Sequence, residues 1–182
     1  MKYTELGLRG AYVISLETIP DHRGFFARLW CKQELAQHGL NPNAAQLNVG
    51  FTLTQGGIRG MHFQVAPHQE VKIVRCTQGA LFDVIVDLRS DSPTYRQWVG
   101  VDLTAANRRM LYVPEGCAHG YQTLRDDTEM CYLTSALYAP ASARGVRYDD
   151  PAFRIEWPLP MTGISDADRA WPDWADAVAV MP

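Results

Sequence analysis

The chain has 182 residues, with 17 Lys and Arg against 20 Asp and Glu and a formal net charge of −3. This length predicts a single domain over residues 1–182, with room for one sizeable core. The charge argues against a nucleic acid or a membrane surface as partner. No segment approaches the roughly 20 apolar residues that a membrane-spanning helix needs, so we expect a cytoplasmic protein.

Turn residues divide most of the chain into short strands, which predicts an all-β sandwich or barrel with its ligand site in the mouth. We place the barrel core at about residues 45–138 and read the stretch from Trp171 as a C-terminal capping tail. One short helix is predicted at Lys32–His38, ended by Gly39. The predicted strands are Tyr12–Leu16, Phe25–Trp30, Ala45–Thr54, Ile58–Gln64, Val71–Thr77, Ala80–Leu88, Gln97–Leu103, Arg109–Val113, Tyr121–Leu124 and Thr128–Tyr138.

The strand Ile58–Gln64 combines apolar residues with a histidine and a glycine. Alternation puts Met61 and Phe63 on one face and Gly60, His62 and Gln64 on the other. Gly60 leaves a gap beside His62 through which a ligand could approach. A lone histidine in such a strand is usually a structural residue, so His62 becomes a site candidate only if other polar residues converge on it.

A second histidine follows the turn Pro114-Glu115-Gly116, and we expect this turn to present His119 just before the next strand. The spacing P-x-G-x-x-H resembles the second motif of the cupin superfamily. In metal-binding cupins the first motif supplies H-x-H and a glutamate. Here Gln64 replaces the second of those histidines, which leaves His62, His119 and Glu70 as an incomplete ligand set and argues against a metal.

Three further residues are candidates because of their chemistry. Lys72 opens a strand, and by itself it is more typical of a solvent-facing lysine than of a site residue. Tyr132 lies in the middle of a strand, where a tyrosine commonly packs and hydrogen-bonds its hydroxyl. Asp83 lies among apolar residues and is either a site carboxylate or a locally satisfied one. Together, histidine, lysine and tyrosine in one pocket can remove a proton, stabilise an oxyanion and return a proton.

Eight segments, in order over nearly the whole chain, closely resemble the dTDP-4-dehydrorhamnose 3,5-epimerase family. They are Asp21-His22-Arg23-Gly24-Phe25-Phe26, Gln46-Leu47-Asn48, Ile58 to Gln64, Lys72-Ile73-Val74-Arg75, Phe82 to Arg89, Ser92-Pro93-Thr94-Tyr95, Pro114 to Gly120, and Asp150-Pro151 with Trp157-Pro158.

The resemblance implies a cupin-like double-stranded β-helix (a jelly-roll barrel), a homodimer, no metal and no cofactor. It also implies epimerisation of a nucleotide-diphosphate sugar, a 4-keto-6-deoxyhexose whose C3 and C5 protons flank the C4 ketone. By the family pattern His62 is the base, oriented by Asp168, while Lys72 stabilises the enolate oxygen and Tyr132 returns a proton to the opposite face. The substrate-binding positions are Arg59 and His119 for the diphosphate and sugar, and Arg23, Phe26, Gln46, Asn48 and Tyr138 for the nucleotide or sugar, with Asp83 as a further site carboxylate.

Two questions stay open at this level. Simple alternation puts Arg59 and His62 on opposite faces, so either Gly60 marks a bulge or Arg59 lies at the rim. In addition, Arg28, Leu47, Val49, Gly50 and Ala167 depart from the family pattern where the nucleotide is expected. The alternatives are therefore a C3-only epimerase, an epimerase of another nucleotide sugar, a metal-dependent cupin enzyme using His62, His119 and Glu70, and a non-catalytic sugar-nucleotide binding module.

Overall fold

A computed structural model describes residues 1–174 and contains thirteen strands and two short helices in that range. The elements are β1 (Lys2–Glu5), β2 (Tyr12–Ser15), β3 (Thr18–Asp21), β4 (Gly24–Ala27), α1 (Lys32–Gln37), β5 (Gln46–Thr52), β6 (Ile58–Gln64), β7 (Lys72–Gln78), β8 (Ala80–Asp87), β9 (Trp98–Thr104), β10 (Met110–Val113), β11 (Cys117–Thr123), β12 (Thr128–Thr134), β13 (Ala143–Gly145) and α2 (Asp166–Arg169).

The strands form two large antiparallel sheets and one small hairpin, which confirms the predicted all-β, cupin-like jelly roll. The six-stranded sheet has the order β1-β2-β10-β7-β12-β5, and the five-stranded sheet has the order β13-β6-β11-β8-β9. The separate hairpin is β3-β4. Since β1, β2 and β13 belong to the large sheets, the sheets extend beyond the predicted core of residues 45–138.

Alternation along the strands explains how the layers pack. On β8, Leu81 and Ile85 face the space between the two sheets, where they meet Val74 and Leu111 of the six-stranded sheet. Val84 on the opposite face packs into a second cluster with Met61, Phe63, Phe153 and Trp174. The five-stranded sheet is thus covered on both faces, which is why β8 is buried at nearly every position.

The segment from Val146 to Trp174 covers the outer face of the five-stranded sheet. The rings of Phe153 and Trp174 pack at a centroid distance of 6.0 Å with a tilt of 50°, and both residues are buried. Of the predicted capping tail from Trp171, residues 175–182 lie outside the described residues. No helix within residues 1–174 has the length and apolar character needed to cross a membrane.

Several element boundaries differ from the predictions. β11 begins at Cys117, so His119 lies inside a strand rather than in the turn before it. The turn itself ends at Gly116, whose φ of 75° suits glycine. β12 ends at Thr134 rather than at Tyr138. The sequence did not predict β1, β3, β13 or α2, because segments of three or four residues are too short to carry a periodic pattern.

Candidate active site

Two adjoining cavities lie between the sheets and share one group of side chains. Their volumes are about 510 and 540 Å³. The first cavity is also lined by residues of β5, β6 and β11, and the second by Gln46, Asn48 and Tyr138. The side chains that line both cavities are His62, Lys72, Tyr132 and Asp168, which are the four residues predicted to carry the chemistry.

His62 and Asp168 form a hydrogen-bonded pair at this junction. The Nε2 atom of His62 lies 2.6 Å from Oδ1 of Asp168, and Oδ2 of Asp168 accepts a hydrogen bond from the Gly60 amide at 3.2 Å. Burial raises the pKa of Asp168, but the hydrogen bonds and charge from His62 and the Gly60 amide outweigh burial and lower it. An ionised Asp168 fixes the Nε2–H tautomer and leaves Nδ1 of His62 unprotonated as a base.

The short helix α2 positions Asp168 next to His62. Ser165 caps the helix, because its Oγ accepts a hydrogen bond from the Asp168 amide at 3.0 Å. The helix follows the isolated bridge between Gly57 and Gly163, which ties this segment to the start of β6. The segment after the barrel therefore completes the site, 106 residues along the chain from His62.

A bulge in β6 answers the question of how Arg59 and His62 can share one site. His62 is opposite His119 and Arg59 is opposite Tyr121, so the span 59–62 on β6 faces the shorter span 119–121 on β11. The extra residue lies at Gly60, whose φ of 125° is favourable only for glycine. Both Arg59 and His62 line the first cavity as a result.

His119 forms a second histidine–carboxylate pair behind the cavity wall. Its Nε2 atom lies 2.7 Å from Oδ1 of Asp83, which is completely buried. His119 lines the first cavity, whereas Asp83 lines neither cavity. Asp83 therefore holds His119 in place from behind, and a direct contact with substrate, as predicted from the sequence, does not fit its position.

Lys72 is buried rather than solvent-facing. Its Nζ atom donates to the His62 carbonyl at 3.2 Å and lies 3.3 Å from Oε1 of Glu70. Burial lowers the pKa of Lys72, while the charge of Glu70 acts in the opposite direction. Because an ammonium group has three hydrogens and these partners take two, one remains for a ligand in the cavity.

The metal alternative required His62, His119 and Glu70 to converge. Instead, each has a different partner in the structure: Asp168, Asp83 and Lys72. Within residues 1–174 no three His, Cys, Asp or Glu side chains are grouped so that they could hold a metal ion. Gln64 lies where the cupin motif has a histidine. Its amide nitrogen donates to the carbonyls of His68 and Leu137, and its amide oxygen accepts from the Ala139 amide.

Tyr132 faces the pair from the other sheet. It belongs to β12 of the six-stranded sheet, whereas His62 belongs to β6 of the five-stranded sheet, so the two side chains enter the cavity from opposite walls. Burial raises the pKa of Tyr132, and the charge of Glu70 raises it further. The phenol therefore stays protonated at neutral pH and can act as a proton donor.

The first cavity also contains two hydroxyl groups that the sequence did not single out. Arg59 donates from Nε to Thr52 Oγ1 at 3.1 Å and from Nη2 to the Phe51 carbonyl at 2.8 Å. Thr52 Oγ1 also lies 3.3 Å from the hydroxyl of Tyr121. A correct start for β11 would have identified Tyr121, because alternation puts it on the same face as His119.

The predicted nucleotide-contacting residues fall into two groups. Gln46, Asn48 and Tyr138 line the second cavity, and Gln46 accepts a hydrogen bond from the Tyr138 amide at 2.7 Å. Arg23 and Phe26 line neither cavity of their own chain. They lie on the exposed β3-β4 hairpin, where Arg23 pairs with Asp21 at 2.6 Å.

Comparison with known proteins identifies the family. A sequence model described as dTDP-4-dehydrorhamnose 3,5-epimerase matches residues 5–176. The chain belongs to this family. A curated relative, the dTDP-4-dehydrorhamnose 3,5-epimerase of Sinorhizobium fredii, is 39% identical over 177 residues, which cover 94% of this chain and 89% of the relative.

Solved structures of similar proteins include both epimerase types. The dTDP-4-dehydrorhamnose 3,5-epimerase of Bacillus anthracis with TDP and PPi bound has a TM-score of 0.90 and 39% identity, covering 94% of this chain and 98% of that one. A 3'-monoepimerase from Streptomyces bikiniensis in complex with dTDP-quinovose has a TM-score of 0.87 and 31% identity, covering 97% and 91%.

The residues that depart from the family pattern lie around the cavities and the hairpin. Arg28 is paired with Glu34 of its own chain at 2.7 Å. Gly50 lines the first cavity and Ala167 lines the second. Leu47 and Val49 are exposed on β5, and Val49 also belongs to the lining of the first cavity. Ala167 is the chain neighbour of Asp168, whereas Arg28 lines neither cavity.

Proposed function

We propose that this epimerase inverts C3 and C5 of a nucleotide-linked 4-keto-6-deoxyhexose, converting dTDP-4-dehydro-6-deoxy-D-glucose to dTDP-4-dehydro-L-rhamnose. The observation that carries the proposal is the His62–Asp168 pair on one wall of a cavity with Tyr132 on the opposite wall. An inversion needs a base and an acid on opposite faces of the reacting carbon.

His62 removes the proton next to the ketone in this scheme. The His62 side chain is 46% exposed towards the cavities, whereas Asp168 behind it is 9% exposed. The imidazole therefore reaches substrate through Nδ1 while the carboxylate stabilises the imidazolium that forms. A positioned base of this kind contributes about 10²- to 10⁴-fold to the rate.

Lys72 stabilises the enolate oxygen that develops at C4. Its ammonium group is held by Glu70 and the His62 carbonyl, and its remaining hydrogen points to a ligand oxygen in our scheme. A buried positive charge favours the developing negative charge strongly, since water does not screen it. Tyr132 then delivers a proton to the other face of the enolate. After His62 loses its proton to solvent and Tyr132 regains one from solvent, the same set acts at the second of the two carbons, C3 and C5.

The nucleotide occupies the second cavity in this proposal. Gln46, Asn48 and Tyr138 line it, and the Tyr138 ring offers an apolar face against which a base can stack. Arg59 and His119 position the diphosphate and the sugar. Arg59 suits this role because its guanidinium can pair with phosphate oxygens in a bidentate geometry.

A second copy of the chain completes the site in our proposal. β5 is an edge strand of the six-stranded sheet, and its outward face carries Leu47 at 71% and Val49 at 65% exposure. The β3-β4 hairpin exposes Phe26 at 66% beside Arg23. A homodimer covers both apolar surfaces, and it allows the hairpin of one subunit to bring Arg23 and Phe26 to the nucleotide cavity of the other.

Isotope exchange tests the reaction. The protein is incubated with dTDP-4-dehydro-6-deoxy-D-glucose in heavy water, and deuterium at C3 and C5 is measured by NMR. Label at both carbons with L-configured product is expected, and no label at either carbon overturns the proposal. Label at C3 alone would support the second candidate, a 3-epimerase, which the similarity to the Streptomyces bikiniensis 3'-monoepimerase favours. A panel of UDP-, GDP- and CDP-linked ketosugars tests the choice of base.

Complementation tests the shared site. Arg23→Ala and His62→Ala are each expected to be inactive as homodimers. In a mixed dimer with composite sites, one site contains both intact residues, so a mixture unfolded and refolded together should regain about a quarter of wild-type activity. If Arg23 serves its own subunit, the mixture stays inactive. Light scattering of the wild-type protein should give the mass of a dimer.

A further inference from the structure

Thr52 and Tyr121 form a hydroxyl pair inside the first cavity, outside the set of residues that the reaction above uses. Tyr121 is 4% exposed, and its hydroxyl lies 3.3 Å from Thr52 Oγ1. Arg59 donates its Nε hydrogen to the same Thr52 oxygen at 3.1 Å. The three side chains make a continuous row from the exposed guanidinium at the rim to the buried phenol.

The hydrogen bonds within this row leave one hydroxyl hydrogen unused. Thr52 and Tyr121 each have one hydroxyl hydrogen, and their mutual bond uses one of the two. The guanidinium of Arg59 cannot accept a hydrogen bond, so it takes neither. Among the described residues the two hydroxyls have no other acceptor. Whichever hydroxyl donates within the pair, one hydrogen has no partner within residues 1–174.

The surroundings leave room for a ligand at this donor. A Cβ atom built on Gly50 would be 3.6 Å from the Tyr121 hydroxyl, so the missing side chain keeps the space beside it open. Gly50, Thr52 and Tyr121 all line the first cavity. Burial raises the pKa of Tyr121, which keeps the phenol neutral. Since Tyr121 lies two positions beyond His119 on the same face of β11, its hydroxyl adjoins the reacting set.

We propose that the Thr52–Tyr121 pair donates its remaining hydrogen to an oxygen of the sugar half of the substrate, which makes Tyr121 a specificity-determining residue. This rests on the proposed function. The sugar is favoured over the nucleotide because β5 runs from the second cavity, at Gln46 and Asn48, to the first cavity at Thr52. With the nucleotide in the second cavity and the diphosphate at the Arg59 end of the row, the sugar beside His62 and Tyr132 faces the Tyr121 end.

The test compares affinities for dTDP-glucose and free dTDP by calorimetry, which does not depend on turnover. Tyr121→Phe should weaken binding of dTDP-glucose about two- to tenfold, the range for one neutral hydrogen bond, while binding of dTDP is unchanged. Tyr112→Phe is the matched control, since Tyr112 is a buried tyrosine that hydrogen-bonds the Asn41 amide away from both cavities. It should leave both affinities unchanged.

Thr52 provides the second arm. Thr52→Ser keeps the hydroxyl and should bind both ligands as the wild type does, whereas Thr52→Val leaves Tyr121 its hydrogen and should weaken dTDP-glucose less than Tyr121→Phe does. The double variant Thr52→Val/Tyr121→Phe removes both hydroxyl hydrogens and should weaken dTDP-glucose at least as much as Tyr121→Phe does. An equal loss for dTDP and dTDP-glucose in Tyr121→Phe, or no loss for either, overturns the inference. If the variants show this pattern of affinities but the wild-type protein incorporates no deuterium, the proposed reaction is refuted while the proposed contact is supported.

Discussion

His62 and His119 lie directly opposite each other on β6 and β11, and each places Nε2 against its own carboxylate. The distances are nearly the same, 2.6 Å to Asp168 and 2.7 Å to Asp83. Their access differs, because the side chain of His62 is 46% exposed and that of His119 is 8% exposed. The exposed pair is accessible for proton exchange with a ligand, whereas the buried pair holds the His119 ring in one orientation.

Replacement of Asp168 by Asn tests the first pair. The amide has no charge to stabilise an imidazolium and can hold His62 in the wrong tautomer, so we expect kcat to fall by about 10²- to 10⁴-fold. KM should change little, since Asp168 touches His62 rather than the substrate. Steady-state kinetics and the rate of deuterium incorporation measure the effect. Asp149→Asn, which alters an exposed partner of Arg147, is the control. Wild-type kcat in Asp168→Asn would refute the orienting role.

Replacement of Glu70 by Gln should shift the alkaline limb of the pH–rate profile to lower pH. Burial lowers the pKa of Lys72, and the charge of Glu70 counters that effect. Burial raises the pKa of Tyr132, and Glu70 adds to it. Loss of the carboxylate therefore lowers both pKa values, so Lys72 loses its charge and Tyr132 its proton at a lower pH than in the wild type.

The profile of kcat/KM between pH 6 and 10 measures this shift, with roughly one pH unit as the expected size for a single lost neighbouring charge. Glu156→Gln removes an exposed carboxylate without described side-chain partners and should leave the profile unchanged. An alkaline limb at the same pH in Glu70→Gln and wild type would show that neither Lys72 nor Tyr132 controls it.

The sequence predicts the site better than it predicts the geometry of the site. Period-two alternation places His62 and Tyr132 on strands correctly, and the observed strands contain both. Alternation fails at Arg59, because one extra residue at Gly60 reverses the facing of everything before it. Bulges depend on the partner strand, which a single segment cannot reveal.

Contacts between distant segments explain the remaining differences. The sequence pattern predicts Asp83 as a possible substrate contact. Its pairing with His119, 36 residues away, instead places it behind the wall of the first cavity. The helix that carries Asp168 has four residues, so its sequence has no periodicity to detect. Lys72 can be buried because its ammonium group is paired with Glu70 and donates to the His62 carbonyl. The residues next to Lys72 in the sequence do not reveal these partners.

Asp87 at the end of β8 should contribute stability that depends on pH. It is completely buried and accepts hydrogen bonds from Arg89, Ser92 and Thr94. Burial acts to raise the pKa of Asp87, but these hydrogen bonds reverse the effect and lower it. The folded-state pKa is thus below the unfolded value, so the contribution is complete above about pH 4 and is lost as the pH falls further.

Asp87→Asn should therefore lower the free energy of unfolding by about 3 kcal/mol at pH 7, as expected when a buried ion pair loses one partner. Urea denaturation at pH 7 and pH 3 should show a smaller difference between variant and wild type at the lower pH. Asp91→Asn, which changes an exposed residue of the same loop, should be neutral at both. An equal difference at the two pH values would contradict the assignment.

Gly60→Ala should remove both stability and activity, because the bulge requires glycine. A Cβ atom at position 60 would lie 2.6 Å from the Gly120 Cα atom, and the φ of 125° is strained for any other residue. We expect a loss of about 2–4 kcal/mol in unfolding free energy. Gly7→Ala, with nothing within 4 Å, is the matched control. If Gly60→Ala folds and turns over normally, Arg59 and His62 do not depend on this bulge to reach the same cavity.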